Sequence, residues 1–362
     1  MRPSAPLKPG ATIGILGGGQ LGRMLAVAAA RLGFRCHVFA SEPDACAFQV
    51  VQRRTCAEYT DERALSAFAA DCDVITYEFE NVPAAAAAFL LQRKPISPDP
   101  KILETTQDRL TEKDFVRKLG IATAPYAAAE NGSQLSAAVK KIGLPAVLKT
   151  RRFGYDGKGQ ALIRSKPGAA AAWRQLGRSP CILEGLVRFE REISAIVARG
   201  RDGASVCFDV TENRHRNHIL KTSQVPARIP PALDAQARRI ARRIADAFDY
   251  VGVLTVEMFV LPGARGQRLL VNEIAPRVHN SGHWTIDGAT VSQFEQHIRA
   301  IAGWPLATPV RHGRIRMENL IGAEATVHPQ RLAAANAAVH LYGKSEARPG
   351  RKMGHVTRIY RN

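Results

Sequence analysis

Residues 251–285 read VGVLTVEMFVLPGARGQRLLVNEIAPRVHNSGHWT. Two apolar runs, 253–260 and 268–274, flank a Pro/Gly turn at 262–266, the pattern of two neighbouring strands. Each run carries one acid, Glu257 in the first and Glu273 in the second. An unpaired charge in an apolar strand is costly. Two carboxylates on adjacent strands can share a face and hold Mg²⁺, which takes oxygen ligands and substrate phosphates. That reading is favoured here over a solvated acidic face. Asn272, Arg277, His279, Asn280 and Ser281 lie in the same stretch. His279 and His283 stand four apart, but no HExxH surrounds them and the carboxylates are committed, so zinc is not expected.

Upstream of this pair the texture is strand–helix alternation. Residues 12–16 read as a strand, 17–22 as a glycine-rich turn, 21–32 as a helix ended by Gly33, and 36–40 and 74–77 as further strands. This alternation predicts a doubly wound parallel sheet. GGGQLG at 17–22 holds GxGxxG as Gly17, Gly19 and Gly22. The acid expected about 20 residues on is poorly matched, since the next strand ends in Ser41 and Glu42. A generic anion site at the helix start is therefore favoured over a nicotinamide site, with a packing turn as the third reading. YEFENV at 77–82 places Glu78 and Glu80 at a strand end, where open parallel sheets meet ligands. An N-terminal helix cap before Pro83 is the competing reading.

Between the two regions, Lys149 ends a strand at 146–150 and precedes the loop RRFGYDGKGQ, 151–160. A lysine there can set its ammonium on a phosphate, and the glycines and cations that follow suit a mobile cover over polyphosphate. The spacing is not that of a Walker A loop, and a hairpin with solvated charges is the alternative. Further strands are expected near 161–163 and 181–184, a pair at 192–198 and 205–210, and an amphipathic helix at 235–248. From about 306 a β-leaning segment runs on.

The 362 residues suggest two or three domains. Hydrophobic content of 46% with 23% charged residues excludes a disordered or collagen-like chain. No apolar run reaches the ~18 residues of a membrane span, and the opening reads as a first strand rather than a signal peptide. Six cysteines without a CxxC pair predict a reduced, cytoplasmic chain. The net charge of +19 admits nucleic acid, an anionic small molecule or a merely Arg-rich composition. No block of five or six cations marks a basic tail.

Taken together these motifs resemble the ATP-grasp carboxylate–amine ligases, and more closely the N5-carboxyaminoimidazole ribonucleotide synthetases of purine biosynthesis. GGGQLGRM (17–24), YEFENV, QDRLTEK (107–113), FGYDGKGQ (153–160), FERE (189–192), ENRHRNHIL (212–220), NEIAPRVHNSGHWT (272–285) and RPGRKMGH (348–355) carry the resemblance in the family's order. It implies a mixed α/β and α+β architecture: an N-terminal doubly wound domain at 1–108, an ATP-grasp domain at 109–305 and a C-terminal β-rich segment at 306–362. It implies ATP and Mg²⁺ as cofactors. Arg109 and Lys149 would meet ATP phosphates, and Gly154, Tyr155, Asp156, Gly157, Lys158, Gly159 and Gln160 would close over them. Glu184, Gly185, Leu186 and Val187 would form the adenine hinge, Glu192 would hold the ribose, and His215 and Asn272 would complete the nucleotide site. Glu257 and Glu273 would hold Mg²⁺.

The aminoimidazole ribonucleotide would lie among Gln20, Glu78, Tyr155, Asp156, Arg277, His279, Asn280 and Ser281, its phosphate at Lys344 and Arg351. Arg277, Lys149 and His279 are the implied catalytic residues, with the planar donor fork of Arg277 suited to bicarbonate. The broader superfamily often adds an Asn two residues after the second carboxylate; that position is Ala275 here, which leaves the number of Mg²⁺ ions open. The expected partners are small molecules (ATP, bicarbonate and the ribonucleotide), with neither nucleic acid nor membrane, and a homodimer is implied by the resemblance. A different ATP-grasp ligase acting on a related nucleotide or glycinamide is the rival enzyme reading. A nicotinamide oxidoreductase rests on three glycines alone, and a nucleic-acid binder on charge alone. The remaining cations, Arg238, Arg239, Arg242 and Arg243 among them, are expected on solvated helix faces.

Overall fold

The computed structural model describes residues 5–154, 157–263, 266–326 and 336–360. Tyr155 and Asp156, and positions 264 and 265 in the turn after Pro262, lie outside them.

The first domain is built on a four-stranded parallel sheet in the order Arg53–Cys56, Arg35–Ala40, Thr12–Leu16, Val74–Tyr77. Ile13, Ile15, Val38 and Val74 have no exposed surface, because helices cover both faces. The helix Gln20–Arg31 follows directly from the glycine turn and buries Leu21, Met24, Leu25 and Ala28. Those side chains belong to one continuous core with Ile196, Trp284, Phe294 and Ile298, so the first domain is welded to the centre of the molecule.

That centre has two sheets. The smaller one is antiparallel, in the order Tyr126–Ala129, Cys181–Gly185, Ala146–Thr150, Gln160–Ile163, backed by the helices Gly132–Ile142 and Lys166–Gln175. In the larger one, Arg268–Ala275 pairs with Gly252–Leu261, which pairs with Arg191–Arg199, then Thr211–Arg216 and Ile219–Val225. Alternation sets its two faces. Ile193, Ala195 and Val197 meet the helix Pro231–Ala247, whereas Ile196 and Ala198 meet the first-domain core. Three C-terminal strands continue the same sheet: Arg314–Ile321 pairs with Ile219–Val225, then with Lys352–Tyr360, which pairs with Ala337–Leu341.

Most expected strands recur within a residue or two of their ends. Four in the first two domains were not foreseen: Arg53–Cys56, Tyr126–Ala129, and the pair Thr211–Arg216 and Ile219–Val225, the last two joined through Asn217 and His218, both at positive φ. Two successive left-handed residues give the turn that suits the twist of a two-residue hairpin. The expectation for the 235–248 helix needs one correction. Arg239, Arg242 and Arg243 are exposed, but Arg238 is not a solvated cation: its guanidinium bonds Asp234 and Asp209. Among the described residues no helix is long and apolar enough to cross a membrane.

Candidate active site

Glu257 and Glu273 are direct cross-strand partners, with a bulge immediately after Glu257. Both side chains emerge on the face that looks toward the small sheet, and both line a cavity of about 750 Å³. Burial, and then the Glu273 carboxylate, push Glu257 above the ordinary carboxylate range. A pair of facing carboxylates offers the oxygen ligands that fit a hard cation. Among the described residues no group of three or more His, Cys, Asp or Glu forms a ready-made metal site. A cation at this pair would therefore draw its other ligands from water and substrate oxygens.

Cations meet the pair from the opposite wall. Asp108 caps the helix Arg109–Lys118 by accepting from Leu110 and Thr111, and so aims the first turn at the cavity. Arg109 reaches Glu273 at 3.1 Å and the Gly154 carbonyl at 3.0 Å. From the small sheet, Lys149 meets Glu184 at 3.0 Å, and Lys113 meets the other oxygen at 3.5 Å. Burial raises the Glu184 pKa, but Lys149 and Lys113 outweigh it and hold the carboxyl below its usual value. Lys113 also donates to the Asn272 carbonyl.

The loop after Lys149 leans across the mouth. The Thr150 N–H bonds the Gly159 carbonyl, and Gly157 has φ +80°. A Cβ on Gly157 would lie 2.5 Å from His218, so only glycine lets the loop rest on that hairpin turn. Phe153, also at positive φ, is 75% exposed.

At the far end Arg277 pairs with Glu80 and donates to the Val278 carbonyl, and His215 pairs with Glu192. His279 sits 3.3 Å from Glu257 through Nε2, and burial together with Arg277 pushes its pKa well down. Lys149, Gly185, Leu186, Val187, Lys158, Gln160, Asn272, Asn280, Gln20 and Glu78 also line the cavity. Gly159 lies behind it in the loop, and Ser281 is buried behind His279, bonded to it. Lys344 and Arg351 do not reach it. They line a second cavity of about 340 Å³, with Gly17, Gly19, Cys46 and Tyr59, and the two cavities share Gln20, Glu78 and Phe79.

The glycine turn holds an anion at the helix start. Its anion is the chain's own: Glu78 accepts from the Gly19 N–H at 2.6 Å and the Gly22 N–H at 2.7 Å. Cβ atoms at Gly17 or Gly19 would strike that side chain. The Gly19 and Gly22 N–H groups of the fingerprint thus serve an internal carboxylate at a helix N-terminus. It also means that Glu78, read as a substrate contact, has both oxygens engaged by the backbone. Sequence reasoning missed Glu112 and Lys113. They share a helix face with Arg109, at spacings of three and four, and that signal was available. Glu112 lines the cavity beside Glu273 and accepts from the Ile274 N–H. Burial, then the Glu273 charge, raises its pKa.

Comparison with known proteins places this geometry. Family models match along the chain in order: the ribonucleotide synthetase preATP-grasp domain at 10–107, the ATP-grasp domain at 114–294 and the phosphoribosylaminoimidazole carboxylase C-terminal domain at 316–362. The chain is 51% identical to the N5-carboxyaminoimidazole ribonucleotide synthase of Brucella melitensis, over 98% of this chain and 97% of that one. It belongs to the N5-carboxyaminoimidazole ribonucleotide synthase family. The Pseudomonas aeruginosa synthase is 45% identical over 95% of this chain and 93% of its own length. Among solved synthetases of this family, an ADP complex superposes with a TM-score of 0.94 at 41% identity, covering 99% of this chain and 95% of that one. An Aspergillus clavatus synthase in complex with ADP and 5-aminoimidazole ribonucleotide gives 0.88 at 31% identity, covering 97% and 94%. Membership in this family makes the chain an ATP-dependent ligase with the ATP-grasp fold.

Proposed function

We propose that the protein carboxylates the amine of 5-aminoimidazole ribonucleotide with bicarbonate, converting ATP to ADP and phosphate and releasing N5-carboxyaminoimidazole ribonucleotide. The observation that carries this reading is the junction of the two cavities at Gln20 and Glu78. One cavity holds the facing carboxylates and the Arg109 and Lys149 cations; the other is lined by the cations Lys344 and Arg351, which suit a phosphate. A nucleotide in the first and a ribonucleotide phosphate in the second would bring the aminoimidazole to the shared wall, beside Arg277 and His279.

In this reading Arg109 and Lys149 bind the ATP phosphates, and Gly154, Gly157, Lys158, Gly159 and Gln160 cover them. Tyr155 and Asp156 belong to the same loop and are carried from the family's motif alone. Glu184, Gly185, Leu186 and Val187 take the adenine edge, and Glu192, His215 and Asn272 the remainder of the nucleoside. Glu257 and Glu273 would hold Mg²⁺, which supplies charge neutralisation on the transferred phosphoryl group. Arg277 fixes bicarbonate so that an oxygen attacks the γ-phosphoryl group, and the amine then captures the carboxyl group of carboxyphosphate or the CO₂ it releases. Closure of the 151–160 loop keeps water from the labile intermediate. Action in the cytoplasm as a homodimer completes the proposal.

The test is ADP release from the purified protein with Mg-ATP, bicarbonate and aminoimidazole ribonucleotide, each omitted in turn. ADP release that ignores the ribonucleotide would sink the assignment.

A further inference from the structure

Ser194 lies directly opposite Glu257 in the sheet register, on the same face. It begins a buried chain of hydroxyl and amide groups that ends on His279. Ser223 Oγ donates to Asn213 Oδ1 at 2.8 Å, and Asn213 Nδ2 donates to Ser194 Oγ at 3.1 Å. Ser194 and Ser281 hydroxyls are 2.7 Å apart, and Ser281 Oγ is 2.8 Å from His279 Nδ1. Ser194, Ser223 and Ser281 have no exposed surface.

The proton direction along this chain follows from what each group can give. A hydroxyl has one proton to donate. Ser194 receives from Asn213, so its own proton goes to Ser281; the Ser281 proton then has only His279 Nδ1 to meet. The opposite direction would strand the buried Ser194 proton without an acceptor, at the full cost of an unmade hydrogen bond. A second contact, independent of any hydroxyl or amide orientation, agrees. The Ser281 backbone N–H, which can only donate, points at the same Nδ1 at 3.3 Å. With Nδ1 accepting twice, a neutral His279 carries its proton on Nε2, the atom that faces the Glu257 carboxylate.

We propose that Ser194 and Asn213 are positioning residues that lock His279 as its Nε2–H tautomer, and that His279 therefore enters carboxylation as a hydrogen-bond donor beside Glu257 and not as the base that accepts a proton. The inference rests on the functional reading above for its catalytic meaning, while the tautomer itself stands on the resting protein. Nδ1 has its lone pair engaged and Nε2 has none, so the proton lost by bicarbonate or by the amine goes to another group. The Nε2–H donor orients the Glu257 carboxylate, as outer hydrogen bonds orient metal-ligating carboxylates.

The experiment uses the full chain labelled with ¹⁵N-histidine, free of substrate and metal, with the His279 signals assigned from the spectrum of His279→Gln. The expected spectrum has a protonated Nε2 and an unprotonated Nδ1; a protonated Nδ1 overturns the proposal without any variant. Ser194→Ala breaks the chain and is expected to populate both tautomers and lower kcat about tenfold or more, with the KM for ATP held, while Ser194→Thr restores both readouts. Asn213→Asp offers Ser194 only acceptors and should withdraw the Ser281 hydroxyl proton from Nδ1, leaving the Ser281 backbone N–H as its donor and populating both tautomers. A Ser194→Ala protein whose His279 signals and kcat match the parent removes the positioning role. Loss of ribonucleotide-dependent ADP release with the tautomer intact would instead count against the functional reading alone.

Discussion

Glu257 and Glu273 face one another as register partners on antiparallel strands. Like charges directly opposite repel, and burial, then this repulsion, raise the Glu257 pKa. A group whose folded pKa is raised contributes stability below its unfolded pKa, and that contribution is lost as pH rises through the folded value. The metal-free protein should therefore lose stability above the ordinary carboxylate range, and Mg²⁺ should restore it. At pH 7, Mg²⁺ binding should release protons, seen calorimetrically as a heat that depends on the buffer's ionisation enthalpy. Glu257→Gln should abolish the release; a heat identical in all buffers for the parent protein contradicts the pairing argument. Glu273→Ala should lower turnover at least ~10²-fold.

Lys344 bears on the second cavity. Burial pulls its pKa down to about 8, so it is protonated at neutral pH and loses its charge as pH rises through that value. A phosphate dianion favours the charged form. The KM for the ribonucleotide should rise with pH across this window while the KM for ATP stays level. Lys344→Met should raise the ribonucleotide KM and remove its pH dependence; an unchanged profile would separate Lys344 from the phosphate.

Gly157 gives a loop prediction. With φ +80° and a Cβ position 2.5 Å from His218, Gly157→Ala cannot keep the loop on the hairpin turn. ATP KM should rise about tenfold or more, with the thermal midpoint nearly unchanged because the loop carries none of the core. A parent-like KM would show that the contact has no part in nucleotide binding.

Glu78 gives a stability prediction. Its two bonds to Gly19 and Gly22 are charge-assisted and buried, so Glu78→Ala leaves a helix N-terminus uncapped at a cost of about 1.5–3 kcal/mol. Gly19→Ala should cost a similar amount, because its Cβ would lie 2.6 Å from the carboxylate. Urea denaturation of both variants and of the double mutant checks this. Additive losses would mean that the two residues are uncoupled.

Much of the fold was legible because apolar runs such as Thr12–Leu16 and Ala146–Thr150 are bounded by glycine, proline or charge. The hairpin Thr211–Arg216 with Ile219–Val225 was not, since TENRHR and ILKTSQV show no clean alternation. Asn213 and Ser223 point inward as polar residues because they satisfy each other there. The carboxylate pair was legible from charge in apolar strands, and the structure puts both acids on one face. What Glu78 holds was not, because its partners lie 59 and 56 residues away. Glu112 and Lys113 look like a solvated helix face until the strand carrying Asn272 and Ile274 covers them.

The strand Lys352–Tyr360 lies between Arg314–Ile321 and Ala337–Leu341, both of which precede it in the chain. During translation the ribosome delivers the two outer strands first and the one that joins them later. Until then, Ala337–Leu341 has no partner strand and Arg314–Ile321 has a bare edge. Lys344, which donates to the Lys352 carbonyl, is likewise unanchored until that strand slots in. A nascent chain can thus assemble the nucleotide half of the molecule well before it can present the second cavity. Ribosome-bound intermediates should acquire ATP binding first, and exposure of the unpaired edges makes that interval the one most prone to aggregation.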